Sequence, residues 1–159
     1  MSEAAEIYSQ FGQTLAFAHA TLNRTLEGHL AARRTSPDRW YALKLTAQAE
    51  PVARAAVIDD LAAGGTVQPV DAASLLRTLE ADGLIEGSDV LSLTDAGRSY
   101  FEELRQYVSA PTIRLLGQFE LADIETTLQT LRDITARAAS DVVYRNDLAQ
   151  DGGGRPDLA

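Results

Sequence analysis

The sequence has no cysteine, and only two histidines, one methionine and one tryptophan in its 159 residues. Without cysteine there is no disulfide framework, no thiol redox sensor and no cysteine-ligated zinc site, while the compartment is left open. A metal would have to be held by His19, His29 and carboxylates. Those two histidines lie ten positions apart on one helical segment, rotated by about 1,000° and more than two turns away from each other. They do not converge on one ion, and no metal is expected. No Gly-rich phosphate loop, nucleophile elbow or HExxH pattern is present. The adjacent pairs Asp59-Asp60 and Glu102-Glu103 diverge on a helix, so nothing points to an enzyme. No apolar run approaches the roughly 18 to 20 residues that span a bilayer. Glu3 and Glu6 stand where a signal peptide would carry positive charge, so a cytoplasmic protein is expected. Lysine is nearly absent as well: 13 of the 14 basic residues are arginine, which reads as genome composition.

What is there is mostly helix. With 45% hydrophobic residues the chain can bury a core without staples, and no cofactor is needed to explain folding. A first helix is expected from Ala4 to about Arg33, because Ile7, Phe11, Leu15, Ala18, Leu22, Leu26 and Leu30 keep one stripe apolar. Ser36 offers an N-cap with Pro37 at the first helical position, opening a second helix through Trp40, Leu43 and Leu45. A third is expected from Pro51 to about Ala63, ended by Gly64-Gly65. At the other end, Tyr100, Phe101, Leu104, Tyr107 and Val108 make a stripe on a helix expected to bend near Pro111. The last helix carries Leu121, Ile124, Leu128, Leu131, Ile134, Ala138 and Val142.

The segment DAASLLRTLEADGLIEGSDVLSLTDAG, from Asp71 to Gly97, is the most informative. Asp71 is expected to cap a helix of about three turns whose Leu75, Leu76 and Leu79 share a face, with Gly83 ending it in the left-handed conformation. Leu84-Ile85 then extends, Gly87-Ser88 reverses the chain, and Val90 to Leu93 returns before Thr94 caps the next helix. That order describes a winged helix-turn-helix with one short β-hairpin wing. The long terminal helices need somewhere to bury their stripes. A homodimer covering about 1,500 Å² supplies it; the competing arrangement is a monomeric bundle with the stripes folded inward.

Three stretches, TSPDRWYALKL, LLRTLEADGLI and LSLTDAGRSYFEEL, resemble the MarR family of bacterial transcription regulators, and the likeness extends from about Ile7 to Ala139. The resemblance implies an obligate dimer, with segments of about 4–34 and 110–145 as dimerisation helices and about 36–108 as the DNA-binding lobe and connecting helix. Residues 146–159 are left as a disordered tail. It also implies a recognition helix in the major groove, a wing over the minor groove, and control by a small, often aromatic, effector lodged between base and lobe. Two such helices about 34 to 36 Å apart predict a palindromic duplex site.

The residues available for this work are few. Gln68, Ser74, Arg77 and Thr78 are the candidates for base contact, Arg77 being able to address guanine or a phosphate. Arg33, Arg34, Arg39, Lys44 and Arg54 are candidates for phosphate, and Ser88 for contact from the wing turn. Phe11, Phe17, His19, Trp40, Tyr41 and Tyr100 can wall an effector pocket, or else belong to the core. Charge opposes an easy assignment, since from Thr78 to Glu103 a single basic residue, Arg98, stands against seven acidic ones. The wing, Glu86-Gly87-Ser88-Asp89, is shorter than the family's and lacks its minor-groove arginine, and the link AAGGTVQPVD before the recognition helix is longer. A second reading is therefore a winged-helix dimer with weakened or lost DNA binding, serving as a ligand-sensing or protein-interaction scaffold.

Overall fold

The computed structural model describes residues 3–64 and 67–151, with side chains as far as 141. The elements in chain order are α1 (Glu3–Ala31), α2 (Pro37–Gln48), β1 (Val52–Ala53), α3 (Arg54–Ala63), α4 (Pro69–Ala81), β2 (Ile85–Glu86), β3 (Val90–Leu93), α5 (Asp95–Leu116) and α6 (Leu121–Asp151). Two compact units divide the chain, Met1–Pro111 and Thr112–Ala159. The mostly helical winged-helix architecture is the expected one. Among the described residues no helix is long and apolar enough to cross a membrane.

The first unit holds the core. Ser36 Oγ accepts the Arg39 amide at 3.4 Å, and Pro37 supplies a preset φ, so α2 begins where the sequence places it. Its inner face contributes Trp40, Ala42 and Leu43, and the buried Thr46 satisfies its hydroxyl by donating to the Ala42 carbonyl at 2.9 Å. Trp40 stacks on Phe101 of α5, with ring centroids 5.4 Å apart. Leu30 of α1, Val57 and Leu61 of α3, Val67 before α4, Ala72, Leu76 and Leu79 of α4, Ile85, Leu91 and Leu93 of the sheet, and Leu104 of α5 complete one cluster.

Three boundaries differ from expectation. Val52 and Ala53 do not begin α3. They form an edge strand antiparallel to β3, in register Val52↔Leu91 and Ala53↔Val90, so the sheet has three strands in the order β1-β3-β2 rather than a hairpin alone. A two-residue strand is too short to show alternation, and β3 offers an open edge for it to satisfy. The N-cap of α4 is Gln68 rather than Asp71. Pro69 brings the preset φ of a first helical position and starts the helix earlier, leaving Asp71 in the first turn beside the positive end of the helix dipole. Finally, α6 continues to Asp151, so residues 146–151 of the expected tail are helical, and 152–159 lie outside the described residues.

In the second unit α6 packs few of its large apolar side chains: Leu121, Leu128 and Ile134 are exposed, as is Phe119 just before it. In the first unit α1 does likewise with Ile7, Tyr8, Phe11, Leu15, Phe17 and Leu22. The α1 stripe is thus exposed from Ile7 to Leu22, while Leu26 and Leu30 at its other end join the core of the first unit.

The continuity of α5 through Pro111 has a specific cost and a specific remedy. Proline has no N–H, so the carbonyl four residues earlier, that of Tyr107, loses its helical donor. His29 of α1 supplies one. Its Nε2 lies 3.2 Å from the Tyr107 oxygen, which fixes the proton on Nε2 because a carbonyl only accepts. The contact is reciprocal, since the Tyr107 hydroxyl donates to the His29 carbonyl at 3.2 Å. The two rings stack at 4.1 Å, and the Arg33 guanidinium lies 4.3 Å from the Tyr107 ring centroid. His29→Ala is expected to lower stability by about 1 to 2 kcal/mol and by visibly less in a Pro111→Ala background, where the replacement of proline restores the helical donor. Urea unfolding of the four-variant cycle at one fixed protomer concentration measures the coupling; equal losses in both backgrounds would show that the proline and the histidine are unrelated.

Candidate nucleic-acid interface

Burial divides α4 into two faces. Ala72, Leu76 and Leu79 point into the core, and Asp71, Ser74, Arg77 and Thr78 are exposed on the other side, preceded by the exposed Gln68. Ser74 and Thr78 are one turn apart, with Arg77 beside them, so these three share one accessible face, and Gln68 is exposed separately at the N-cap. Thr78 Oγ1 donates to the Ser74 carbonyl at 3.1 Å, which leaves its oxygen as an acceptor toward a partner. Arg77 makes no ion pair among the described residues. Val70, 71% exposed at the second helical position, lies on the same face and is apolar, so it falls outside the polar candidates. Its exposure is legible in the sequence, because Val70 falls out of step with the Leu76-Leu79 face.

The wing is β2, its turn and β3, paired Ile85↔Leu93 and Glu86↔Ser92. Gly87 has φ 109°, and a Cβ there would stand 1.9 Å from the Val90 carbonyl oxygen, so the tight reversal requires glycine. Behind the turn sits Arg54, at the start of α3. Its Nη2 donates to the Gly87 carbonyl at 2.8 Å and to Glu80 Oε1, its Nε donates to the Ser88 carbonyl, and its backbone N–H donates to the Asp89 carbonyl at 2.9 Å. Arg54, expected among the phosphate contacts, therefore has its guanidinium occupied within the lobe. Ser88 remains exposed at the turn.

Other arginines are engaged in the same way. Arg39 pairs with Asp82 at the end of α4 at 2.7 Å, and Arg98 grips Glu50 through both nitrogens at 2.8 and 2.9 Å. Glu50 also accepts the Leu93 amide at 3.1 Å, fastening the end of β3 to the end of α2. The Arg98 hydrogen bonds hold the Glu50 carboxyl below its ordinary value of 4.5; burial opposes them, and the Leu93 amide and the Arg98 charge add smaller lowering contributions. Asp38 is shifted the other way, upward, by burial and then by Glu27.

The expected effector residues divide. Phe11 and His19 are exposed on α1 and Tyr41 is exposed on α2, while Trp40 is buried against Phe101 and belongs to the core. Among the described residues, no group of three or more His, Asp and Glu side chains is placed to hold a metal ion.

No protein-family model matches the sequence, and no curated protein does. Solved structures do match. A MarR family transcriptional regulator from Silicibacter pomeroyi superposes with a TM-score of 0.67 at 22% identity, over 86% of this chain and 96% of its own. CouR from Rhodococcus jostii RHA1, bound to p-coumaroyl-CoA, gives 0.68 at 18%, over 78% and 90%. A MarR family protein from Mycobacterium tuberculosis in complex with DNA gives 0.60 at 21%, over 77% and 95%. The chain has the winged-helix fold of these regulators.

Because the folded-state carboxyl of Glu50 titrates below 4.5, its contribution to stability is present above that value and is lost as pH falls through the lowered one. Glu50→Gln keeps an acceptor for Leu93 and Arg98 and removes the charge. It is expected to lower the urea midpoint at neutral pH and to flatten the acid-side decline; superimposable pH profiles for the two proteins would remove Glu50 from that role.

Proposed function

We propose that the chain is a homodimeric, DNA-binding transcription regulator of the MarR type, controlled by a small aromatic ligand. The observation that carries the reading is the division of α4. Its apolar side is consumed by the core and its other side, with Gln68, Val70, Ser74, Arg77 and Thr78, is open to a partner. An α-helix exposed in this way fits the major groove. There Arg77 suits the O6 and N7 of guanine or a phosphate, Ser74 and Gln68 suit base edges, and the Val70 methyls suit the C5 methyl of thymine.

Support for the dimer comes from the uncovered stripes of α1 and α6. Six large apolar side chains of α1 are exposed, four of them, Ile7, Phe11, Leu15 and Leu22, along one stripe, and a continuous apolar surface of that kind is what a partner covers. A second copy presenting the same stripes is a self-complementary occupant, and the pairing of two α4 helices makes the duplex site palindromic. The structural neighbours in complex with DNA and with p-coumaroyl-CoA make a duplex and an aromatic ligand the natural partners to test.

The acidic wing supports the second reading, a winged-helix dimer that serves as a ligand-sensing or protein-interaction scaffold. Glu86 and Asp89 flank the turn, the Arg54 guanidinium beside them is engaged by Glu80 and the turn carbonyls, and the two carboxylates repel phosphate most strongly at low salt.

Light scattering is expected to give twice the 17.1 kDa chain mass. Fluorescence polarisation with duplex fragments of the protein's own upstream region should show saturable binding at low salt, abolished by Arg77→Glu. Failure of every fragment to bind, with the dimer intact, would leave the scaffold reading standing and end the regulator reading.

A further inference from the structure

Building on the regulator reading, we propose that Arg54 is a positioning residue that fixes the wing against the recognition helix, and that it does not bind phosphate. One residue reaches four groups in two elements. Three are the consecutive carbonyls of Gly87, Ser88 and Asp89, which span the wing turn, and the fourth is the carboxylate of Glu80 on α4. The Asp89 carbonyl takes the Arg54 backbone N–H as the next step of the β1–β3 pairing, whereas the Gly87 and Ser88 carbonyls at the turn are left to the guanidinium, a planar fork with several donors suited to gathering them together with a carboxylate. Arg54 and Glu80 are both mostly shielded, with side chains 23% and 29% exposed, so the pair holds better than one on open surface.

The alternative role for Arg54 fails on electrostatics. Swinging the guanidinium out to a phosphate would break all three side-chain contacts and leave Glu80 unpaired on the DNA-reading helix, adding repulsion where it is least tolerated. A wing carrying Glu86 and Asp89 has no cation of its own with which to enter a minor groove. It acts instead as a strut: held by Arg54, it braces α4 from the side and sets the angle at which Ser74, Arg77 and Thr78 meet the bases.

The test uses the full chain and two readouts. The first is hydrogen exchange of the amides at 87–91 in the free protein. Arg54→Gln is expected to speed this exchange by about tenfold, and Arg54→Lys, which keeps the charge but loses the fork, to speed it nearly as much. The second readout is the affinity, and its salt dependence, for duplexes selected by the wild-type protein from a random-sequence library. Arg54→Gln and Glu80→Gln should both weaken binding, the former by about tenfold, with the slope of log K against log salt unchanged. The proposal is overturned if Glu80→Gln tightens binding and steepens the slope by about 2, as two freed guanidiniums per dimer would. Loss of a similar slope in Arg54→Gln, or wing exchange that does not change in any variant, overturns it equally. If the wild-type protein retains no duplex, the regulator reading fails, and the exchange measurement on Arg54→Lys and Glu80→Gln still decides whether Arg54 holds the wing.

Discussion

A helix of 13 residues on the surface of a small lobe can bury only one side, and the choice of side by α4 governs everything else about the lobe. Ala72, Leu76 and Leu79 are fully buried, and Leu75 and Ala73 are half-buried at the margins. Burying two leucines gives on the order of 3 to 6 kcal/mol, a large part of what a domain of this size has to spare. That term cannot be recovered by any rotation of the helix. Consequently Ser74, Arg77 and Thr78 are held outward chiefly by the packing of the opposite face, the arrangement that the proposed reading of DNA would need before any partner arrives.

Electrostatics works within that frame. The chain carries nine more acidic than basic charges, yet most arginines of the lobe are turned to internal use. Arg39 joins the start of α2 to the end of α4, Arg54 joins the start of α3 to Glu80 of α4 and to the wing turn, and Arg98 joins α5 to Glu50. Each bridge ties together elements far apart in sequence, at places where a turn or helix end leaves carbonyls or carboxylates in need of a donor. The cost is a reading surface with little positive charge of its own. Whatever duplex affinity the lobe has must rest more on fit at the bases than on counterion release, which makes it less dependent on salt than is usual for such proteins.

Much of this was legible in the sequence, and the exceptions have common causes. The periodic stripes of α1 and α6, the cap at Ser36, and the hairpin between Gly83 and Thr94 are local patterns, and local patterns can be seen without a structure. The strand at Val52–Ala53 is invisible because its only reason to exist is the open edge of β3, some forty residues later. Arg54 looked like any other surface cation, since nothing in its neighbourhood says that Glu80 and the Gly87 turn will converge on it. The start of α4 was misplaced because Asp71 is a good cap in isolation, whereas Pro69 decides the matter by favouring a first helical position.

Trp40 sharpens what an effector can do. As a polar-tipped aromatic on α2 it was a reasonable wall for an aromatic ligand, but it is only 6% exposed and its ring is stacked on Phe101 of α5. A ligand reaching that ring would have to displace Phe101 and open the core, at a cost of the several kcal/mol that removing a large aromatic contact entails. Tyr41, its neighbour, faces the other way and is 40% exposed, as is Phe11 at 41%. An effector can bind these without disturbing packing. Trp40 and Phe101 instead tie α2 to α5, so the exposed side of α2 with Tyr41 lies opposite the side packed on the element that follows the wing. On the proposed regulator reading, a displacement of α2 would reach the end of α4 through that stack and the Arg39–Asp82 bridge.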